Sequence, residues 1–337
     1  MEYIVTTRKE KLESLKDNNN CLIGVDGTVS GCEGLYDLLF DHHKVGGADI
    51  QIHEIPESSY KWHNGNYINE IIVTTMVDAD AICAAYVVMC RLYDIEISTD
   101  DWELLEAISY DCDHLAVPSR LSKYADKAAM IVGALKQSSN NLAAEMELPS
   151  DREYWSIDQK EVFSSAAFAE GVFLIEELLD GNWDYESLAK PYMENLAKIT
   201  EEVKERVRLY NGCLLFDARG LGGEYIDPRC WLRAAESLGL SPVFPITLVT
   251  RDVVINGEWK GLSHTIGCVP FHPELPGLDF TKTMSCLALT LQGAYPLPLK
   301  KRSVFDALTE AERKVNPDCD AWGGRKTVGG ERVEYLL

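Results

Sequence analysis

The fold is decided by the stretch IIVTTMVDAD at residues 71–80, followed by AICAAYVVMCRLY at residues 81–93. The first stretch opens with apolar and β-branched residues, which predict a buried strand, and the second is alanine-rich, which predicts a helix. Short apolar runs at residues 21–25 and 38–40 also end at an aspartate. Buried strands that alternate with helices are typical of a parallel sheet. We therefore expect an α/β fold whose mostly parallel sheet has helices on both faces and binds ligands at the carboxyl ends of its strands.

The helical pattern resumes further along the chain. Residues 102–109 continue in the helical style, and residues 156–210 have a helical pattern throughout. Apolar residues from Leu196 to Val207 recur at steps of three and four. This spacing predicts an amphipathic helix, with Pro191 in or before its first turn.

Beyond residue 212 the pattern changes to short strands separated by loops rich in proline and glycine. Strands are predicted at residues 213–216, 243–249 and 286–291. This change, together with the turn-type dipeptide at residues 211–212, divides the chain into three parts. They are an α/β domain at residues 1–150, a helical connector at residues 151–210 and a smaller α+β C-terminal domain at residues 211–337.

The charge of the chain is concentrated in its first two-thirds. The 337 residues include 54 acidic and 32 basic side chains, for a net charge of −22. Residues 1–210 hold 39 of the acidic and 18 of the basic side chains, a net charge of −21, which leaves −1 for residues 211–337. Because an acidic surface repels polyanions, the composition argues against long nucleic acids and an anionic membrane as partners.

The sequence also bears on the cellular location of the protein and on the redox state of its cysteines. No stretch reaches the roughly 18 consecutive apolar residues that a membrane span needs, and the N-terminal residues lack the apolar core of a signal peptide. A cytoplasmic protein is the expectation. The ten cysteines lie singly, without C-x-x-C pairs, so we expect reduced thiols that lie mostly in the core.

Four motifs place carboxylates and imidazoles where strands or a helical stretch end. They are Val-Asp26-Gly, Asp41-His42-His43, Asp78-Ala-Asp80 and Asp111-Cys-Asp113-His114. Any one of these aspartates is more often a turn former or a helix cap than a ligand. The four together favour a site for one or two divalent cations. Oxygen and nitrogen ligands indicate Mn²⁺ or Mg²⁺ rather than a thiolate zinc site.

At residues 41–43 the sequence resembles the DHH phosphoesterase superfamily. That family pairs a sheet domain carrying a di-manganese site with a smaller C-terminal domain of the DHHA1 kind, which binds substrate through a glycine-rich motif. Here Asp26 looks like the bridging aspartate of the family, residues 78–80 like its D-x-D element and Asp111 like the aspartate of its fourth motif. Glycine pairs at residues 323–324 and 329–330 are similar to the glycine motif.

The sequence departs from the family pattern in two ways. The D-x-D element follows the DHH motif instead of preceding it, so the motif order looks circularly permuted. The family also has a metal-binding histidine four residues before the first aspartate of D-x-D, and Thr74 occupies that position here. Thr74 is itself a possible ligand; otherwise one metal site is complete only if a nearby side chain supplies the missing one. The candidates are Asp113, His114, His53 and His63.

The resemblance implies hydrolysis of a phosphate ester or anhydride by water that two metal ions activate. It assigns Asp26 to both metals, Asp78 to the first metal, and Asp80, His42 and Asp111 to the second. Asp41 is expected to orient a histidine rather than bind metal. His43 is expected to contact the phosphate or to serve the leaving group. The competing interpretation of His43 is a buried histidine bonded to a neighbouring carbonyl.

The C-terminal glycine motif is the predicted substrate-binding arm. Gly323 and Gly324 precede Arg325 and Lys326. Their backbone amides could form an anion nest, and the guanidinium could bind a phosphate through two hydrogen bonds. A surface turn that closes a terminal hairpin is the alternative, since glycine pairs also mark turns.

The sequence therefore predicts a phosphoesterase or phosphodiesterase that uses two Mn²⁺ or Mg²⁺ ions. Its expected substrate is small: a short oligonucleotide, a cyclic dinucleotide, a nucleoside bisphosphate or pyrophosphate. The alternative is a catalytically weakened relative that binds a phosphorylated metabolite or a protein partner without turnover, because a histidine ligand is replaced by Thr74. A homodimer is one option for its assembly.

Overall fold

The computed structural model describes residues 1–44, 47–57, 67–210, 212–222, 226–255, 257–271, 303–314, 322–324 and 329–331. The chain separates into two compact units. We call residues Met1–Met193 the N-terminal unit and residues Glu194–Leu337 the C-terminal unit.

A four-stranded parallel sheet forms the centre of the N-terminal unit. Its strands are β1 (Glu2–Val5), β2 (Cys21–Val25), β3 (Leu38–Phe40) and β4 (Glu70–Thr74), in the spatial order β1-β4-β2-β3. Every residue of β2 is buried, which requires cover on both faces because successive side chains point to opposite sides. The parallel α/β architecture expected from the sequence is therefore confirmed.

Among the described residues, five helices belong to this unit and a sixth begins in it. They are α1 (Lys9–Asp17), α2 (Ala79–Leu92), α3 (Thr99–His114), α4 (Ala125–Glu145), α5 (Ile157–Leu179) and α6 (Tyr185–Val203). Helix α6 continues past Met193 into the C-terminal unit. One part of the core joins Leu12 of α1 to Leu22, Ile71 and Val73 of the central strands. Since all four strands run in one direction, the segments that follow them begin at one edge of the sheet. That edge is where the site is built.

The C-terminal unit contains a six-stranded mixed sheet. Its strands are β5 (Val207–Tyr210), β6 (Cys213–Ala218), β7 (Ile246–Ile255), β8 (Glu258–Cys268), β9 (Trp322–Gly324) and β10 (Gly329–Glu331). Their spatial order is β5-β6-β7-β8-β10-β9, and only the β6–β7 pair is parallel. Helices α7 (Pro228–Ser237) and α8 (Val304–Arg313) belong to this unit. Trp231 of α7 stacks on Phe216 of β6, with ring centroids 5.8 Å apart.

Two sequence predictions of local structure need correction. Residues 207–210 form strand β5 rather than helix, because Val207 to Tyr210 pair with β6. The placement of Pro191 in or before a first turn is wrong, since α6 begins at Tyr185 and contains Pro191. The start of α6 is marked instead by Asp184, whose side chain accepts the Ser187 N–H at 3.2 Å.

Two predicted strands differ in extent from the observed strands. The strand expected at residues 71–77 ends at Thr74, and the one expected at residues 243–249 begins at Ile246 and continues to Ile255. The strand predicted at residues 286–291 lies outside the described residues.

The segment 151–210, expected to be a connector, contributes α5 to the N-terminal unit and β5 to the C-terminal unit.

Eight cysteines fall within the described residues, all as free thiols, and six of them are buried. Among the helices that the structure describes, none combines the length and the apolar composition that a membrane-spanning helix needs.

Candidate metal centre

The candidate centre is assembled from the segments that follow three neighbouring strands. Asp26 comes directly after β2, residues 41–43 directly after β3, and residues 78–80 shortly after β4. The last turn of α3 adds residues 111–114. Segments far apart in sequence therefore meet because the parallel sheet places their starting points side by side.

A sharp backbone turn presents the Asp26 side chain. Asp26 has φ +46° and Gly27 has φ +120°, both in the left-handed half of conformational space. A non-glycine residue with positive φ is uncommon and is found often at functional sites. A side chain at Gly27 would collide with Thr75, so glycine is required there for space as well as for conformation.

Asp41 organises the loop that carries the two histidines. One carboxylate oxygen accepts the Thr28 hydroxyl at 2.6 Å, and the other accepts the backbone N–H of His43 at 2.9 Å. Asp41 therefore contacts the backbone of a histidine rather than an imidazole ring. It belongs to none of the possible cation-binding groups in the described part of the chain.

Gln51 connects the histidine loop to the D-x-D segment. Its side chain accepts the His42 N–H at 3.0 Å and donates to the carbonyl of Phe40 at 2.7 Å. Its backbone N–H donates to Asp80 Oδ2 at 2.9 Å. Gln51 is fully buried, so these bonds hold His42 and Asp80 in fixed relative positions.

Seven side chains among the described residues form three groups that could hold a cation. The groups are Asp26, His42 and His43; His42, Asp80 and Asp113; and Asp78, Cys112 and Asp113. Within each group the possible ligand atoms lie within 4.8 Å of one another. His42 and Asp113 each belong to two groups, so the three groups form one continuous cluster, which we call the ligand cluster.

The imidazole of His42 lies among three carboxylates. Its Nε2 atom is 3.1 Å from Asp26 Oδ1, 3.7 Å from Asp113 Oδ2 and 3.8 Å from Asp80 Oδ2. Within the described residues, neither this Nε2 atom nor Oδ1 of Asp80 has a partner in hydrogen-bond geometry. Unpartnered buried polar atoms are costly unless something else satisfies them. The donor set fits a divalent cation that prefers oxygen and imidazole nitrogen.

The electrostatics of the ligand cluster agree with this fit. Burial would raise the pKa of Asp26, but the imidazoles of His42 and His43 lower it to about 2. Burial opposes a charged imidazole at His42, yet the surrounding carboxylates raise its pKa to about 9. Burial, together with neighbouring carboxylates, raises the pKa of Asp113 to about 8 and that of Asp78 to about 7. The crowded acids thus need positive charge nearby, which a proton or a metal ion can supply.

Asp78 caps a helix and also lies in one of the three groups. Its side chain accepts the Ala81 N–H at 2.9 Å and so caps the N-terminus of α2. A helix cap is the common use of an aspartate at the end of a strand. It also joins Cys112 and Asp113 in the third group. Helix capping and ligand placement are compatible here because a carboxylate has two oxygens.

The candidates for the missing ligand have different surroundings. The hydroxyl of Thr74 contacts the carbonyls of Asp26 and Met76 at 3.0 and 2.9 Å, so it stabilises the loops and lies outside the three groups. Asp113 lies in two of the groups, whereas Asp111 is buried and in none of them. Side chains two residues apart on a helix point in directions that differ by about 200°, so Asp111 and Asp113 cannot face the same point.

The histidines outside the cluster bind elsewhere. His114 Nε2 lies 3.2 Å from the carbonyl of Asp49. His53 Nε2 lies 2.7 Å from Glu106, which also binds Arg120. His63 lies outside the described residues.

The predicted substrate arm is described only in part. Gly323 and Gly324 lie in β9, where they pair with Gly330 and Gly329 of β10 in an antiparallel register. This pairing agrees with the hairpin alternative and does not test anion binding. Arg325 and Lys326 lie outside the described residues.

Sequence reasoning missed two residues of this centre. Gln51 gave no signal, because its bonds join segments that are separate in sequence. Cys112 was not considered as a member of the site, although its position between Asp111 and Asp113 could have suggested it.

The similarity of this chain to known proteins is limited to its structure. No protein-family model matches the chain, and no curated protein matches it. Among solved structures, the chain is similar to the pGpG-specific phosphodiesterase PggH from Vibrio cholerae, with 12% identity and a TM-score of 0.44. The similarity covers 96% of this chain and 83% of that chain. A likeness at this level carries no functional argument.

Proposed function

We propose that the N-terminal unit is a metal-dependent phosphoesterase or phosphodiesterase that hydrolyses a small phosphorylated substrate. The observation that carries this proposal is the unpartnered Nε2 atom of His42, which lies 3.1 to 3.8 Å from three carboxylates. A metal-binding cluster at the carboxyl edge of a parallel sheet is suited to phosphoryl chemistry. The resemblance of residues 26–43 to the DHH phosphoesterase superfamily agrees with it.

The ligand cluster would hold two Mn²⁺ or Mg²⁺ ions. Asp80, His42 and Asp113 would bind one ion, Asp78 and Asp113 would contribute to the other, and Asp26 would be shared. The thiol of Cys112 lies beside the second ion's ligands, but these hard cations do not favour sulfur. When bound, such ions supply Lewis acidity, which lowers the pKa of water and neutralises charge on phosphoryl oxygens.

The protein's own residues would position the reactants. Asp41 and Thr28 hold the histidine loop, and Gln51 keeps His42 aligned with Asp80. His43 Nε2 lies 3.2 Å from Asp26, and its side chain is 32% exposed, against 6% for His42. The more exposed His43 is therefore the histidine that can reach a substrate phosphate, in addition to its possible contact with a metal.

Hydrolysis tests this proposal directly. The panel is bis-p-nitrophenyl phosphate, a short oligonucleotide, a cyclic dinucleotide, a nucleoside bisphosphate and pyrophosphate, each with and without Mn²⁺. Asp26→Ala and His42→Ala are expected to abolish manganese-stimulated product release. His264→Ala is the matched control, because His264 lies in the C-terminal unit with its Nδ1 atom 3.0 Å from the Thr250 hydroxyl. Unchanged activity in both cluster variants would refute the proposal.

A second function is favoured by Thr74. Since its hydroxyl contacts two backbone carbonyls, it does not replace the histidine ligand of the family. A protein with one incomplete metal site would bind a phosphorylated metabolite or a protein partner without turnover. Metal analysis separates the two: two equivalents of manganese per chain favour the enzyme, whereas none, with no activity on the panel, favours the binding protein.

A further inference from the structure

A cavity of about 550 Å³ lies within the N-terminal unit, next to the ligand cluster. Asp78 and Cys112 of the cluster line it, together with Val5 at the end of β1 and Thr75 just beyond β4. It therefore lies at the same carboxyl edge of the sheet as the candidate metal centre. Its volume is within the range of roughly 300–1,000 Å³ that is usual for small-molecule sites.

Three helices supply most of the cavity wall, and their contribution is largely apolar. Ile82 of α2, Leu135 of α4, and Phe163 and Leu174 of α5 line it. The Phe163 ring packs edge-on against Trp155, with centroids 4.9 Å apart. The apolar wall is therefore held in place by a packed cluster behind it.

Polar groups interrupt the apolar wall at a few points. They are Ser139, Asn140, Ser164 and the carboxylate of Glu170, which accepts a hydrogen bond from Ser138. Lys136 and Arg152 also line the cavity, and both are exposed. A mainly apolar pocket with a few convergent polar groups is typical of a site for an organic ligand with a hydrogen-bonding edge.

We propose that this cavity binds the organic part of the substrate, a flat heterocyclic ring of nucleobase size. The proposal rests on the proposed function, in which the phosphate of the same substrate lies at the ligand cluster. A ring can cover the apolar wall and pair its edge with Ser139, Ser164 or Glu170.

The apolar wall also selects against other phosphate compounds. Pyrophosphate has no apolar surface to place there, and a free sugar phosphate has no flat ring face to cover the apolar side chains. An organic phosphoester with a ring should therefore be preferred to both.

The experiment measures binding of adenosine and guanosine to the full chain in EDTA, with ribose as the probe that lacks a ring. Calorimetry rather than fluorescence provides the readout, because the chain already contains seven tryptophans and each variant adds another. We expect both nucleosides to bind and ribose not to bind. Ser164→Trp should fill the cavity and weaken nucleoside binding at least about tenfold, because the new ring occupies the ligand's space.

The matched control is Val162→Trp, which adds the same ring to α5 at a position that is 61% exposed. It should bind nucleosides as the unchanged protein does. Ser139→Trp on α4 repeats the test from another wall if Ser164→Trp does not fold. The proposal would be overturned if neither nucleoside binds better than ribose. It would also be overturned if the folded cavity variants bind nucleosides as well as the control variant does.

This test is independent of catalysis because it uses no metal and no phosphate. Nucleoside binding that Ser164→Trp removes supports the cavity assignment even if the protein hydrolyses nothing on the panel. Hydrolysis with no nucleoside binding would leave the proposed function in place and overturn the cavity assignment.

Discussion

Acidic side chains differ in burial and in pairing between the two units. In the N-terminal unit, Asp26 and Asp80 are buried beside histidines and other acids. In the C-terminal unit, Asp217 pairs with Arg219 at 2.6 Å on a partly exposed surface. The neighbouring imidazoles keep Asp26 charged, whereas burial and the charge of Asp26 raise the pKa of Asp80. A buried carboxylate like Asp80 lowers stability, so its retention points to ligand binding. A carboxylate with a nearby guanidinium needs no such explanation.

The largest expected effect concerns the hydrogen bonds that tie loops together in each unit. Gln51→Ala removes the buried side-chain bonds to His42 and Phe40, so we expect the free energy of unfolding to fall by about 2–4 kcal/mol. Urea unfolding measures the loss. Manganese affinity should also fall by about 10–100-fold, as for other residues that orient metal ligands.

The comparison variant is Asp252→Ala in the C-terminal unit. Asp252 also ties loops, through the N–H of Gly220 and the indole N–H of Trp259, but these bonds are exposed and the residue is only partly buried. We expect a cost of about 1 kcal/mol or less there and no change in manganese affinity. Equal losses for the two variants would contradict the contrast between the units.

Metal binding should distinguish the units next. Manganese at about 100 times its dissociation constant should stabilise the protein by about 2.7 kcal/mol, because only the folded state binds it. Hydrogen exchange locates the effect: amides at the ends of β2, β3 and β4 should gain protection, while those of β7 and β8 should not. Protection confined to the C-terminal unit would place the metal elsewhere.

A smaller effect should have opposite signs in the two units. Burial and the nearby charge of Asp26 raise the pKa of Asp80, so Asp80→Asn should stabilise the metal-free protein by about 1 kcal/mol. Asp217→Asn should instead destabilise it by about 1 kcal/mol or less, since it weakens a partly exposed ion pair. Thermal unfolding in EDTA compares them, and a loss of stability in both variants would count against an unmet charge at Asp80.

The smallest expected effect is a pH dependence within the N-terminal unit. Burial opposes the charge of Glu106, but Arg120 and His53 lower its pKa below the ordinary value of 4.5. Its stabilising contribution is therefore complete above pH 4.5 and is lost as the pH falls through the lower folded-state value. Because Arg120 is half exposed, we expect less than about 1 kcal/mol.

Glu106→Gln tests this pH dependence. Urea midpoints measured from pH 6 down to pH 3 should fall less steeply in the variant than in the unchanged protein. Glu103→Gln is the control, since Glu103 is on the same helix and pairs with the exposed Lys123. If the urea midpoint of Glu106→Gln falls with pH as steeply as that of the unchanged protein, Glu106 does not contribute to the loss of stability in acid.

Three strands of the parallel sheet could be read from the chain because they are nearly continuous apolar runs, whereas β1, a four-residue strand at the start of the chain, was not predicted. The candidate site was predictable only where a motif lies at a strand end, as for Asp26, His42 and Asp80. The choice between Asp111 and Asp113 was not predictable, because it depends on the direction in which the last turn of α3 points. The strand at residues 207–210 was missed because its pairing partner, β6, outweighs the helical spacing that precedes it.

The sequence by itself determined the alternation of buried strands and helices and the aspartates and histidines at the strand ends, since hydrophobic periodicity and local chain direction are sequence properties. Tertiary structure alone decided which of those side chains meet. It brought Asp113 and Cys112 to the ligand cluster, gave Gln51 its place between two loops, and opened a cavity beside Asp78. These contacts join segments many residues apart, so only the packed fold sets their distances and the charges that surround them.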